Sequence, residues 1–205
     1  PDQPVTAMLG DLQLPLQEDR VLISIDGEKG LLPGHVLAQH HVVMDYVAAT
    51  ITLAPPGSRT PVGQAFPMPV SDPMRFPRTE ITIAGETVGM LLDTGPAATI
   101  LSQKVMKRWH EQHPDWAHYD GAHGLAEALQ RAGGQVLETL VAEDAQWAGV
   151  GLDELTLAAQ RTGVFERYMS RMMTAPVVGA LGSNAFRSLR LELDYANETL
   201  YVSRP

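Results

Sequence analysis

Short runs of aliphatic and β-branched residues, broken every few positions by Gly, Pro, Asn or Asp, dominate this chain and predict strands rather than long helices. Residues 21–25, 42–46 and 51–53 form a first group, with turns at Asp26-Gly27 and Pro33-Gly34. Residues 80–84, 88–92, 136–141, 154–159 and 189–193 form a second, with a turn at Gly85 after the first of them. Two stretches carry helical spacing. Residues 102–110 follow Ser102 as a candidate N-cap, and residues 164–173 repeat Val164, Phe165, Tyr168, Met169, Met172 and Met173 at helical intervals, which predicts a core face filled by methionine. Between the two groups, seven prolines from Pro55 to Pro77 predict a semi-extended connector.

A shift of 149 residues maps residues 30–53 onto residues 179–202 with no gap between the matching segments. It sets Gly30-Leu-Leu-Pro-Gly-His-Val-Leu37 on Gly179-Ala-Leu-Gly-Ser-Asn-Ala-Phe186, and Asp45-Tyr-Val-Ala-Ala-Thr-Ile-Thr-Leu53 on Asp194-Tyr-Ala-Asn-Glu-Thr-Leu-Tyr-Val202. Gly10-Asp-Leu-Gln-Leu14 matches Gly151-Leu-Asp-Glu-Leu-Thr-Leu157 at a smaller shift. The expected organisation is therefore the back part of one lobe over residues 1–54, a proline-rich linker over 55–75 and a complete second lobe over 76–205.

Composition narrows the function classes. Fifteen Lys and Arg against twenty-four Asp and Glu leave a net charge of −9, which opposes a phosphate backbone, and no basic patch offsets it, so nucleic acid is not an expected partner. The absence of cysteine removes disulfides, thiolate zinc sites and cysteine nucleophiles. No apolar run reaches the roughly 20 residues of a membrane-spanning helix.

The candidate chemistry lies in Met90-Leu-Leu-Asp-Thr-Gly-Pro-Ala-Ala-Thr-Ile-Leu101, where an apolar strand runs into Asp93-Thr94-Gly95 and then reaches Thr99 and a helix start. The strand would hold the carboxylate on a rigid element, and Gly95 would let backbone approach it closely. Asp-Thr-Gly alone also suits a surface turn after a buried strand. A downstream segment, Ala175-Pro-Val-Val-Gly-Ala-Leu-Gly182, followed by Asp194-Tyr195, adds the second element of a pattern.

With these motifs the sequence resembles the retropepsin-like and pepsin-like aspartic proteases, in particular bacterial tandem-lobe aspartyl proteases. The resemblance covers residues 76–202 and, as a partial repeat, 9–53. It implies an all-β fold: a closed-barrel retropepsin-like lobe with short helices, preceded by the C-terminal part of a second such lobe. It also implies aspartic endopeptidase activity on polypeptide substrates, with Asp93 catalytic, and with Thr94, Gly95, Thr99, Val177, Val178 and Gly179 supporting the catalytic loop. A β-hairpin flap would lie within residues 119–134, bringing Tyr119, Gly121, Ala122, His123 and Gly124 to the substrate. The family mechanism needs two carboxylates about 3 Å apart sharing one proton, because like charges that close cannot both ionise; aspartic proteases are themselves the standing example of this behaviour. No metal or other cofactor is implied. Asp93 supplies one carboxylate, and the repeat puts its mate outside these 205 residues. The second is thus expected from an upstream lobe fragment or from a homodimer partner. Pro96 and Ala97 depart from the family pattern. They motivate a second reading, a catalytically silent peptide-binding or regulatory module.

Asp45 and Asp194 occupy matching places on terminal strands and are read as structural. His110 and His113 are spaced three apart rather than the four of a zinc-protease helix and lack an obvious third ligand, so they are read as solvated residues at a helix end. The bacterial resemblance and the processed-looking start at Pro1 make the periplasm or the exterior the expected location.

Overall fold

The computed structural model describes residues 6–9, 12–15, 32–161 and 163–205, and the expected strand over 21–25 and turn at Asp26 lie outside them. An antiparallel pair, β1 (Thr6–Leu9) and β2 (Leu12–Pro15), precedes a one-turn helix, α1 (Gly34–Leu37). The hairpin of β3 (His41–Asp45) and β4 (Thr50–Ala54) follows. Asp45 Oδ1 accepts the Ala48 amide at 2.8 Å in its turn, and Asp194 Oδ1 accepts the Asn197 amide at 3.2 Å in the matching one. Both aspartates therefore serve as turn acceptors, which satisfies backbone groups that the reversal of the chain leaves unpaired.

The proline-rich stretch is more than a connector. Its residues Gln64–Pro67 form β5, an edge strand that tolerates proline because only one side of it is paired. The hairpin of β6 (Arg78–Ile83) and β7 (Glu86–Leu92) turns through Ala84 and Gly85, both at positive φ. Two such residues in sequence make the tight turn whose twist suits a hairpin. β8 (Thr99–Ser102) leads into α2 (Gln103–Gln112), whose N-cap is Ser102, accepting the Val105 amide, and whose buried side chains are Val105, Met106 and Trp109. The chain continues through β9 (His118–Asp120), α3 (Ala126–Arg131), β10 (Glu138–Ala142), β11 (Ala145–Trp147), β12 (Val150–Leu152) and β13 (Leu155–Gln160). It closes with β14 (Gly179–Leu181), β15 (Arg190–Asp194) and β16 (Thr199–Ser203).

The helix expected over residues 164–173 is a π-helical turn, Val164–Met169, followed by the single α-turn Ser170–Met172. The Tyr168 amide reaches back five residues to the Gly163 carbonyl at 3.3 Å. This wider turn rotates side chains away from the faces that 3.6-residue spacing assigns. Only Phe165 and Met173 of the expected stripe are buried, and Tyr168 is 66 % exposed.

Nine strands hydrogen-bond in the order β12-β11-β6-β7-β14-β8-β13-β10-β9, and five in the order β4-β3-β15-β16-β5. Among the described residues no pairing joins β12 to β9, so backbone hydrogen bonds do not close the expected barrel. The fold is nonetheless mostly β with a few short helices. A continuous core runs from Val42 and Met44 on β3 through Ile81, Met90, Leu101 and Trp147 to Leu191, Leu193 and Leu200. Strands before and after the linker thus share one sheet and one core. Within that sheet the carboxylate of Glu192 is fully buried, accepting from the Val62 amide and paired with His41 at 2.8 Å and with Arg190. Several partners on one carboxylate offset the cost of taking its charge out of water. Among the described residues no helix is long and apolar enough to cross a membrane.

Candidate active site

β7 delivers the chain into Asp93 from the middle of the nine-stranded sheet, where β14 pairs with it in parallel register, Gly179 opposite Met90 and Leu181 opposite Leu92. The Asp93 amide donates to the Leu181 carbonyl at 3.1 Å, so the residue bearing the carboxylate is still anchored by the sheet. The chain then turns back on itself, and the Gly95 amide donates to Asp93 Oδ1 at 3.1 Å. A Cβ on residue 95 would lie 3.3 Å from that same oxygen, tight enough to press on it. Asp93 Oδ2 takes no protein hydrogen bond among the described residues. Burial raises the Asp93 carboxyl above the ordinary carboxylate range, and the Gly95 amide only partly offsets this by favouring the charged form.

The loop is held from below by residues 181–184. Thr99, fully buried, accepts the Gly182 amide at 3.2 Å and donates to Asn184 Oδ1 at 2.9 Å, while Asn184 Nδ2 donates to the Thr156 carbonyl at 2.8 Å. The Ser183 amide and hydroxyl both donate to the Pro96 carbonyl, at 2.8 and 3.0 Å. Gly182 sits so close to the loop that an added Cβ would meet the Ala98 carbonyl carbon at 2.6 Å and the Pro96 carbonyl oxygen at 2.9 Å. A carboxylate on a loop gripped at both ends keeps its orientation without an entropic penalty at each use.

The predicted site residues divide between those gathered at the loop and those displaced from it. Asp93, Thr94, Gly95 and Thr99 lie together, and Thr94 makes no side-chain hydrogen bond among the described residues. Val177, Val178 and Gly179 lie upstream of the contact. The Val178 amide bonds the Gly89 carbonyl and its own carbonyl accepts the Ser102 amide, so this triplet braces β7 and β8 rather than the Asp93 turn. Gly179 is needed there because a Cβ would collide with the Ile100 carbonyl. The triplet beside Asp93 is Ala180-Leu181-Gly182, three residues on. Both triplets read apolar-apolar-Gly, and only the parallel register separates them.

The expected flap is not a plain β-hairpin. β9 and β10 do pair, Tyr119 opposite Thr139, but α3 occupies the excursion between them. The segment Ala126-Glu-Ala-Leu-Gln-Arg131 consists of strong helix formers. Ala126 packs with Ala98, Val136 and Ala158, and Ala122 and Leu129 lie against them. Because Ala98 belongs to the Asp93 loop, α3 lies against that loop's far end. Thr139 ties the approach down, donating to the Gly121 carbonyl at 2.8 Å and accepting the His123 amide at 3.1 Å. Gly121 and Gly124 adopt positive φ, and Tyr119 stacks on His123 with ring centroids 3.6 Å apart.

Sequence reasoning misses Tyr46. It follows β3 in the front repeat, donates its amide to the Leu189 carbonyl at 3.2 Å and packs on Phe186, centroids 5.0 Å apart. Burial, and after it the negative charge of Asp93, raises its phenol above the usual range. The front repeat therefore packs against the C-terminal part of the chain at Phe186 and Leu189. No local signal marks Tyr46; the one pointer to it is its alignment with Tyr195 in the repeat. His110 is also not simply solvated: it stacks on His118 at 4.1 Å, and His118 bonds Glu138 at 3.0 Å.

No protein-family model and no curated protein sequence matches the chain. Among solved structures it is similar to a retropepsin-like aspartic protease from Rickettsia conorii, at 9 % identity over 69 % of this chain and 94 % of that one, TM-score 0.39. It is also similar to an aspartic proteinase from Irpex lacteus, at 11 % identity over 98 % of this chain and 76 % of that one, TM-score 0.48.

Proposed function

We propose that this chain carries one half of the active site of an aspartic endopeptidase, with Asp93 as one carboxylate of a pair whose other member comes from an upstream lobe or a second chain. The observation that supports this reading best is the Asp93 turn itself. One carboxylate oxygen is engaged by the Gly95 amide, the other takes no protein partner among the described residues, and burial favours the protonated form. A second carboxylate brought against that free oxygen would share its proton, since two like charges at such a distance cannot both ionise. The ionised member then takes a proton from a water as its oxygen attacks the peptide carbonyl, while the protonated member hydrogen-bonds the carbonyl oxygen. Collapse of the tetrahedral diol moves a proton to the departing amine. Substrate would lie over the Asp93 loop, between it and whatever carries the second carboxylate.

The silent-module reading draws its support from Pro96 and Ala97. Hydrolysis of a casein-type substrate by the chain supplied with its upstream polypeptide separates the two. Asp93→Asn should abolish hydrolysis while circular dichroism stays unchanged, and EDTA should leave the parent's rate as it was. Equal rates for the parent and Asp93→Asn would defeat the enzyme reading, and a rate lost to EDTA and restored by zinc would assign the chemistry to a metal.

A further inference from the structure

Four of the seven histidines fall at positions 110, 113, 118 and 123, along the path from α2 to the excursion that holds α3. Each is stacked on another ring. His110, in the last turn of α2, lies on His118 of β9, with centroids 4.1 Å and planes 22° apart. His113, the C-cap of α2, lies on Trp116 at 4.4 Å, and His123 lies on Tyr119. The His110–His118 pair differs from the other two, because both of its rings can take a proton and would then carry the same charge.

β9 has three residues and, among the described residues, pairs with β10 alone, so its hold on the sheet is short. The Gly121 amide donates to the Leu137 carbonyl at 3.0 Å at one end of the pairing, and the Val141 amide to the Ala117 carbonyl at 2.9 Å at the other. The ring stack adds a tie from α2. Within it His118 Nε2 is 3.0 Å from Glu138 Oε2, so one imidazolium on the pair is answered by a carboxylate. His110 Nδ1, by contrast, is buried without a hydrogen-bond partner among the described residues. An imidazolium carries N–H at both ring nitrogens, so charging His110 in place would bury an unpaired donor against a second cation. The other charges around the pair are the exposed Lys107 and Glu111 and the Arg108–Glu86 pair on α2, and the exposed Asp115 and Asp120 on the way into and along β9. Being exposed, they are screened by water and salt. His113 is engaged by Trp116, and β8 and β13, on which α2 also packs, contain no titratable residue.

We propose that the His110–His118 stack is an acid-operated clasp on the excursion between β9 and β10. With no more than one proton on the pair, the rings stay together and β9 is tied to α2. When acid charges both, the rings part, His110 turns to solvent, and β9 loosens from β10 together with the excursion it feeds. Because Ala126 of α3 packs on Ala98, that loosening takes cover away from the far end of the Asp93 loop. The clasp is read from backbone opening alone, so it stands or falls separately from peptide hydrolysis.

The experiment is amide hydrogen exchange of the 205-residue chain, with each rate divided by its intrinsic value at the same pH. Protection of the Gly121 and Val141 amides should fall about tenfold between about pH 7.5 and about pH 5, as the histidines become charged and β9 opens. The Leu137 amide, which donates to the Ala159 carbonyl at 3.0 Å on the other side of β10, is the internal reference and should keep its protection. His110→Phe leaves a flat ring on His118 that cannot be charged, and it should hold Gly121 and Val141 protected in acid. His110→Gln removes the ring as well as the charge; it should show weaker protection of β9 at neutral pH and the same absence of a response to acid, which keeps the test open if the phenylalanine does not fit. Equal protection of Gly121 and Val141 at both pH values in the parent, or a loss in acid that both His110 variants retain, overturns the proposal. An equal fall at Leu137 marks general destabilisation and also overturns it. So does protection that rises in acid, which would mean that His110 moves onto Glu138 Oε1, buried and without a partner among the described residues. A response removed by His113→Phe and not by His110→Phe overturns it too, by assigning the effect to the Trp116 stack.

Discussion

Replacing Thr99 by Val tests whether the clamp under the Asp93 loop is built from hydrogen bonds or merely from packing. The substitution preserves shape and exchanges one hydroxyl for a methyl at a fully buried position. It leaves the Gly182 amide without its 3.2 Å acceptor and Asn184 Oδ1 without its 2.9 Å donor. Each buried polar group deprived of a partner costs about 1–3 kcal/mol, and the added apolar methyl returns about 1 kcal/mol of transfer free energy, so the net loss should be about 1–5 kcal/mol. For a chain of this size that corresponds to a fall in Tm of roughly 2–20 °C. Thr99→Ser retains the hydroxyl and gives up one buried methyl, at about 1 kcal/mol. Equilibrium urea unfolding followed by tryptophan fluorescence reads the difference directly, because Trp109, Trp116 and Trp147 are all buried. An unchanged m-value would show that the native state, and not the compactness of the unfolded chain, has been altered. If Thr99→Val lies within about 0.5 kcal/mol of the parent, or if Thr99→Ser is the more damaging of the two, the hydrogen bonds contribute little and the reasoning fails.

Asp93→Asn should stabilise the protein at neutral pH. Burial raises the carboxyl of the folded state above its unfolded value, so the folded form binds its proton more tightly. The resulting stability is fully present below the ordinary carboxylate range and is lost as pH rises through the raised value. Parent and variant should therefore have similar urea midpoints in acid and diverge as pH rises, with Asp93→Asn the more stable; a parent that is the more stable at neutral pH would contradict the desolvation argument. Gly182→Ala should destabilise by about 1–3 kcal/mol, because the added carbon meets backbone of the Asp93 loop on two sides rather than a yielding side chain. Gly151→Ala, where the added carbon meets nothing within 4 Å, is the control and should change the urea midpoint far less.

The parts of this fold that are legible in the amino-acid sequence are those whose cause is local. Alternating apolar positions in Glu80-Ile-Thr-Ile-Ala84 and Leu189-Arg-Leu-Glu-Leu193 are enough to announce half-buried strands. Ser102 announces the start of α2 because a side-chain oxygen there can satisfy an amide that the first helical turn leaves free, as it does for Val105. The 149-residue repeat likewise anticipates the matched turns at Asp45 and Asp194 and the shared register of the two hairpins. Other features depend on segments far apart in the chain. The glycines around α3 suggest a flap tip and hide the helix, since the reason for a helix there includes burial of Ala126 against Ala98, and nothing near residue 126 reports on residue 98. The π-helical turn defeats a 3.6-residue period because its hydrogen bonds close around five residues. The support for Asp93 is the sharpest case. Val177-Val178-Gly179 and Ala180-Leu181-Gly182 offer the same apolar-apolar-Gly pattern, and composition cannot choose between them. The choice is made by the parallel pairing of β14 with β7, which sets Gly179 against Met90 and so brings the Leu181 carbonyl, and not that of Val178, to the Asp93 amide. A register between strands almost ninety residues apart is a property of how their side chains pack together, and that packing exists only once the chain has folded.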